Sequence, residues 1–148
     1  MKTENAKFAG EMSGHIFFAD DYYGYDDALY VGLRLLQILS KTDEKLSDLT
    51  KNIPKYHSTP EMRIDCDNDE EKFKITKKAV EFFTSNYECI TIDGVRIKFK
   101  DGWGLVRSSN TQPVIVCRFE AKTKEQLQEY KQLVLNQLSK FGNINYVQ

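Results

Sequence analysis

The sequence is poor in cysteine, histidine and long apolar runs, and each shortage removes a class of protein. Its three cysteines, Cys66, Cys89 and Cys117, are odd in number, far apart and never in a C-x-x-C pair. That pattern argues against a disulfide framework and against a structural zinc site, and makes a reducing cytoplasm the expected compartment. Charges interrupt every apolar stretch within a few residues, so no segment is expected to span a membrane. The opening Met1-Lys2-Thr3-Glu4-Asn5 has no apolar signal core. No excess of one charge exists: 21 Lys+Arg face 22 Asp+Glu, a formal net charge of -1. Nonspecific nucleic-acid binding feeds on net positive charge and is not expected. The motifs G-x-S-x-G, P-loop and G-x-G-x-x-G are missing, and no nucleophile–base constellation takes their place.

What is present fits a globular chain. The 148 residues are 41% hydrophobic and 29% charged, enough for one ordinary domain or a small domain with an appendage. Phe8 to Phe18 begins with two glycines bracketing three side chains and ends in an apolar run, which reads as a loop feeding a buried strand. Asp26 and Asp27 offer N-caps to a helix over 26–40. Its apolar positions lie nearly all round the axis, so burial on more than one side is expected. A short helix at 46–49 and a linker with Pro54 and Pro60 follow, with a domain boundary placed near 55–60.

After Pro60 the pattern alternates. Met62, Ile64 and Cys66 form one face of a half-buried strand. A helix over 69–85 carries Phe73, Val80, Phe83 and Tyr87 on its predicted stripe. Asp93-Gly94 between apolar runs signals a two-residue hairpin. Gly102-Trp103-Gly104 reads as a turn, and strands are expected at 104–106 and 114–120. Thr123 and Gln126 form a capping box for a last helix, with Leu127, Tyr130, Val134, Leu138 and Phe141 on one stripe. The order predicts an α+β fold, a four- to five-stranded mainly antiparallel sheet with two helices on one face.

Two segments carry the candidate chemistry. Arg107-Ser108-Ser109-Asn110-Thr111-Gln112-Pro113 lies between two strands. Such a turn can aim backbone N–H groups and three hydroxyls at one point, while Arg107 supplies a guanidinium fork, which is what a phosphate monoester needs. An ordinary solvated Ser/Asn turn is the competing reading. In Gly10-Glu11-Met12-Ser13-Gly14-His15, Glu11 and Ser13 alternate toward one side, the glycines permit close approach, and His15 can hold a proton or meet a phosphate. Here the competing reading is a tight turn. Asp65, Asp67 and Asp69 imitate a calcium loop, but Glu70 and Thr76 stand where Gly and Glu are required, so no metal site is assigned.

Taken together, these two segments resemble the sugar-recognition loop and the phosphate loop of the α-D-phosphohexomutases. Phe17-Phe18, Ser58-Thr59-Pro60-Glu61, Asp93-Gly94-Val95-Arg96 and Gly102-Trp103-Gly104-Leu105-Val106-Arg107 carry the likeness between them. The nearest subgroup is the bacterial phosphomannomutase/phosphoglucomutase enzymes. These are similar in using four domains, a phosphoserine loop and a Mg²⁺ held by an Asp-Gly-Asp-Gly-Asp loop to interconvert hexose 1- and 6-phosphates through a bisphosphate.

The resemblance implies that residues 1–57 are the strand–helix remnant of the sugar-binding third α/β domain and 58–148 the fourth, C-terminal domain. It implies that Glu11 and Ser13 bind sugar hydroxyls, that His15 lies near the reacting end, and that Arg107, Ser109, Asn110 and Thr111 bind the distal phosphate. The phosphoserine and Mg²⁺ loops do not occur in this sequence. The chain alone is therefore expected to be inactive and to hold no cofactor. Its expected partners are hexose phosphates and a chain carrying the missing domains. The helix at 26–40, deprived of its sheet, is expected to expose an apolar patch.

Overall fold

The computed structural model describes residues 1–2, 5–11 and 13–144. The chain divides into two compact units, Met1–Ile53 and Pro54–Gln148.

In the first unit, β1 (Phe8–Gly10) and β2 (Ile16–Phe18) form an antiparallel hairpin. The expected buried strand at 16–18 is only half-buried; among the described residues it packs mainly on one short partner strand and one helix. Helix α1 (Ala28–Leu39) starts at Asp27, whose carboxylate accepts from the Tyr30 N–H at 3.0 Å. The helix lies against β2 through polar aromatics. The Tyr30 ring stacks on Tyr22 at 3.7 Å, and the Arg34 guanidinium sits 4.6 Å over Phe18 and bonds Asp20 at 2.9 Å. No α1 residue is buried. The expected burial on more than one side does not occur: Leu29 is 83% exposed, Leu33 64% and Leu36 61%. These three recur at helical spacing, so they form a continuous apolar stripe facing solvent. A short helix, α2 (Leu46–Leu49), closes the unit.

The second unit is an α+β sandwich of one sheet and two helices. Its strands are β3 (His57–Ser58), β4 (Met62–Asp65), β5 (Cys89–Ile90), β6 (Val95–Phe99), β7 (Gly102–Ser108) and β8 (Val114–Ala121). The order is β3-β8-β7-β6-β5, with β4 also pairing β8, and every pair is antiparallel. β3 and β4 share one edge, interrupted at Pro60, where a residue without an N–H is tolerated. Thr59 bridges the gap: its N–H donates to the Phe119 carbonyl at 2.9 Å and its hydroxyl accepts from the Phe119 N–H at 3.1 Å.

Helices α3 (Asp69–Asn86) and α4 (Lys124–Leu138) cover one face of this sheet. The core joins Ile64, Val95, Ile97, Val106, Ile115, Cys117 and Phe119 of the strands to Ile75, Ala79, Phe83, Val134 and Leu138 of the helices. Of the stripe expected for α3, Phe83 is buried and Val80 and Tyr87 pack against the core, and Phe73 alone turns outward. Phe73 is 56% exposed, and the buried face is Lys72, Ile75, Thr76, Ala79 and Phe83. The Thr123 cap holds, accepting from the Gln126 N–H at 3.2 Å, but the Gln126 side chain donates to Asp101 rather than closing the box.

Two turn assignments change places. The Asp93-Gly94 connection is longer than a two-residue turn: Ile90 pairs with Arg96, which leaves the five residues 91–95 between them. The tight two-residue turn is Lys100-Asp101, with Phe99 opposite Gly102. Gly102-Trp103-Gly104 is therefore strand, not turn, and Trp103 lies on the open face of the sheet with the Arg96 guanidinium 4.5 Å above its ring.

Candidate functional site

The loop after β7 is tied to α3 through Ser108, Ser109 and Gln112. Ser109 is 6% exposed. Its N–H donates to the Val114 carbonyl at 2.9 Å, which closes the loop across the strand pair. Its Oγ accepts from the N–H groups of Thr111 and Gln112, both at 3.3 Å, a side-chain turn that gathers the tip. Asn110 and Thr111 are exposed at that tip. The three hydroxyls do not converge as expected. Strand alternation turns Ser108 toward α3, where its Oγ meets Thr76 Oγ1 at 2.8 Å.

Arg107 projects from the open sheet face and bonds Asp93 at 3.3 Å. Their side chains are 32% and 65% exposed, so this is a wet pair that a ligand can displace. Arg63 lies on the same face, in register through Val116, and donates to Glu61 and to the Gln112 side chain.

Beneath the loop is a residue that sequence reading passed over. Lys72 is 2% exposed, and its ammonium donates to Asp69 Oδ1 at 2.6 Å, the Ser109 carbonyl at 2.8 Å and the Gln112 carbonyl at 3.0 Å. Three donors meet three acceptors, as a buried ammonium requires. The cue was phase: Lys72 falls three residues before Ile75 and seven before Ala79, on the buried stripe of α3.

The other candidate segment belongs to the first unit. Between β1 and β2, the Glu11 N–H donates to the His15 carbonyl at 2.8 Å and the Gly14 N–H to the Glu11 carbonyl at 3.0 Å. Gly14 has φ +90, a left-handed value that suits glycine. Ser13 Oγ donates to Glu11 Oε2 at 3.0 Å, so these two side chains share one side of the turn. His15 Nδ1 donates to Asp26 Oδ2 at 2.5 Å. Asp26, expected as a helix cap, serves instead as the orienting acceptor for His15, and Asp27 alone caps α1. The Asp26 hydrogen bond, and then its charge, raise the His15 pKa above the ordinary 6.5.

Among the described residues no three His, Cys, Asp or Glu side chains gather to hold a metal ion. Nor is any described helix long and apolar enough to cross a membrane.

Comparison with known proteins gives this geometry a family. Residues 61–137 match the phosphoglucomutase/phosphomannomutase C-terminal domain, and residues 1–56 match alpha/beta/alpha domain III of the same enzymes. The chain belongs to the phosphoglucomutase/phosphomannomutase family. It is 46% identical over 141 residues to the phosphomannomutase/phosphoglucomutase of Pseudomonas putida, covering 93% of this chain and 30% of that protein. It is 46% identical over 126 residues to a phosphoglucomutase of Neisseria gonorrhoeae, covering 84% of this chain and 27% of that protein. A crystal structure of a family protein from Burkholderia thailandensis superposes with a TM-score of 0.76 at 39% identity, over 97% of this chain and 31% of that one. The chain thus spans about a third of the length of these relatives, and corresponds to the C-terminal portion of the family.

Proposed function

We propose that this chain is the substrate-gripping C-terminal part of a phosphomannomutase/phosphoglucomutase that interconverts hexose 1-phosphate and hexose 6-phosphate. Residues 1–57 act as the end of the sugar-binding third domain and 58–148 as the fourth domain. The observation that carries the reading is the loop 107–112. An exposed tip of Asn110 and Thr111, the Arg107 guanidinium beside it and a buried ammonium beneath it supply the donors and positive charge that a dianion needs.

In this reading Arg107, Asn110 and Thr111 donate to the phosphate that is not reacting. Ser109 shapes the tip through its Oγ and keeps its O–H to donate. Glu11 and Ser13 pair with adjacent sugar hydroxyls, the carboxylate accepting and the hydroxyl donating. Contacts of this kind orient a bound group, and orientation is a large part of any transfer barrier. His15, steadied by Asp26, presents its other ring nitrogen to the reacting end, where a protonated imidazole offsets phosphoryl charge. The phosphoryl donor and the Mg²⁺ of the complete enzyme would be supplied by other segments. Purified alone, the chain turns over neither glucose 1-phosphate nor mannose 1-phosphate in a coupled mutase assay. Mixed with a chain carrying the missing domains, it restores turnover. Activity from the chain alone, or none from the mixture when both chains are folded, overturns the reading.

A second reading is supported by α1. The bare stripe of Leu29, Leu33 and Leu36 needs a cover. In that reading the chain is a non-catalytic sugar-phosphate-binding piece that works only with a partner chain supplying the rest of domain III. Inactivity of the mixture with phosphosugar binding retained favours this second reading.

A further inference from the structure

We infer that Lys72 is the positioning residue of the phosphate loop, setting both its shape and its affinity for anions. The inference rests on the reading of the loop as a phosphate site.

Lysine is rarely buried, and a buried ammonium without partners is costly. Here all three of its protons are used, two on loop carbonyls and one on Asp69. The two carbonyls belong to Ser109 and Gln112, which bracket the exposed tip. Pinning them inward fixes the peptide planes at both ends of the tip. In the Ser109–Asn110 plane the oxygen held inward turns the Asn110 N–H the opposite way, while the Gln112–Pro113 plane carries no N–H and holding its oxygen fixes the chain at that end. The lysine therefore acts on the geometry of the donors without touching the ligand. Its charge adds a second effect. Beneath a loop that excludes water from one side, a positive charge attracts a dianion more strongly than a solvated lysine does.

Asp69 offsets part of this charge, but its side chain is 68% exposed and screened by solvent. The loop is tied to α3 at a second point, Ser108 to Thr76, so loss of the lysine leaves the strand end anchored. Thr76 does not reach the carbonyls that Lys72 holds, and the two contacts are separable by mutation.

The test is an NMR titration of the full 148-residue chain with inorganic phosphate and with glucose 1-phosphate at constant ionic strength. Wild type, Lys72→Met, Lys72→Arg and Arg107→Ala are compared. In wild type, the amides of residues 109–112 and the Lys72 Nζ resonance move together and saturate together. In Lys72→Met, affinity falls about tenfold, through loss of the nearby charge and of the loop geometry it fixes. Amides of the core, such as Val134 and Leu138, keep their positions, and Lys72→Arg regains part of the affinity.

Each failure has its own signature. If wild-type loop amides do not respond, the phosphate-site reading falls and this inference with it. If they respond, Arg107→Ala weakens binding and Lys72→Met binds as tightly as wild type, the site stands and the role of Lys72 is overturned. Should Lys72→Met fail to fold, the wild-type Nζ resonance decides. A signal that stays fixed while the loop amides saturate overturns the inference.

Discussion

The Arg107 guanidinium is held 3.3 Å from the Asp93 carboxylate, across the connection between β5 and β6. In the free chain that carboxylate occupies the fork proposed to grip a phosphate. An anion entering the site must share or displace it, and two like charges side by side disfavour one another. Asp93→Asn is therefore expected to tighten phosphate binding by about twofold to fivefold while stability changes by less than about 1 kcal/mol, as for other exposed pairs. Calorimetric titration with glucose 1-phosphate and a thermal melt check both.

Gly94 makes this pair possible. Its φ is +72, and a Cβ there would overlap the Val106 carbonyl oxygen and come within 2.7 Å of the Arg107 Cα. Both neighbours are backbone and cannot swing aside. Gly94→Ala is expected to destabilise the second unit by about 1–3 kcal/mol, the usual range for strain at a special backbone position. Chemical denaturation followed by Trp103 fluorescence reports it. A melt indistinguishable from wild type excludes this close approach.

His15 and Asp26 predict a pH dependence with a definite sign. The folded-state pKa of His15 is raised above 6.5 by the Asp26 hydrogen bond. A raised histidine contributes its stabilisation below its unfolded pKa and loses it as pH climbs through the folded value. The loop contact is therefore full in mildly acidic solution and weakens on the alkaline side of 6.5. An imidazole NMR titration is expected to show a His15 midpoint above 6.5, moved down toward it in Asp26→Asn. A midpoint unaltered by that substitution removes Asp26 from its role as orienter.

The stripe Leu29, Leu33 and Leu36 predicts association. Apolar area of this kind is seldom left bare on a soluble surface. Sedimentation of the chain at rising concentration is expected to show self-association, reduced in a Leu33→Lys, Leu36→Lys variant whose second unit melts as before. A monomer at all concentrations contradicts it.

These predictions draw unequally on sequence and structure. Arg107 to Thr111 and Glu11 to His15 stand out as candidates because their side chains are dense in donors and acceptors in short, bounded segments. The strand and helix order of the second unit was legible from alternation and caps. What the sequence hid depends on contacts between distant positions. Lys72 looks like any lysine on an acidic helix start until α3 is set against β7 and β8, when its phase with Ile75 and Ala79 buries it. Phe73 drew attention by its size, yet one helical position turns it to solvent. Asp26 and Asp27 are chemically identical, and only the approach of His15 assigns one to the ring and the other to the cap. Asp93-Gly94 carries the signature of a two-residue turn. Its actual geometry is set by packing against Arg107, a neighbour thirteen residues away from Gly94.

The most direct measurement is a calorimetric titration of the 148-residue chain with glucose 1-phosphate, beside Arg107→Ala. The account predicts saturable one-to-one binding, weakened about tenfold or more by the substitution, the scale of a lost charge-assisted contact. Binding of equal strength in the two proteins, or no binding by a folded wild-type chain, would contradict it.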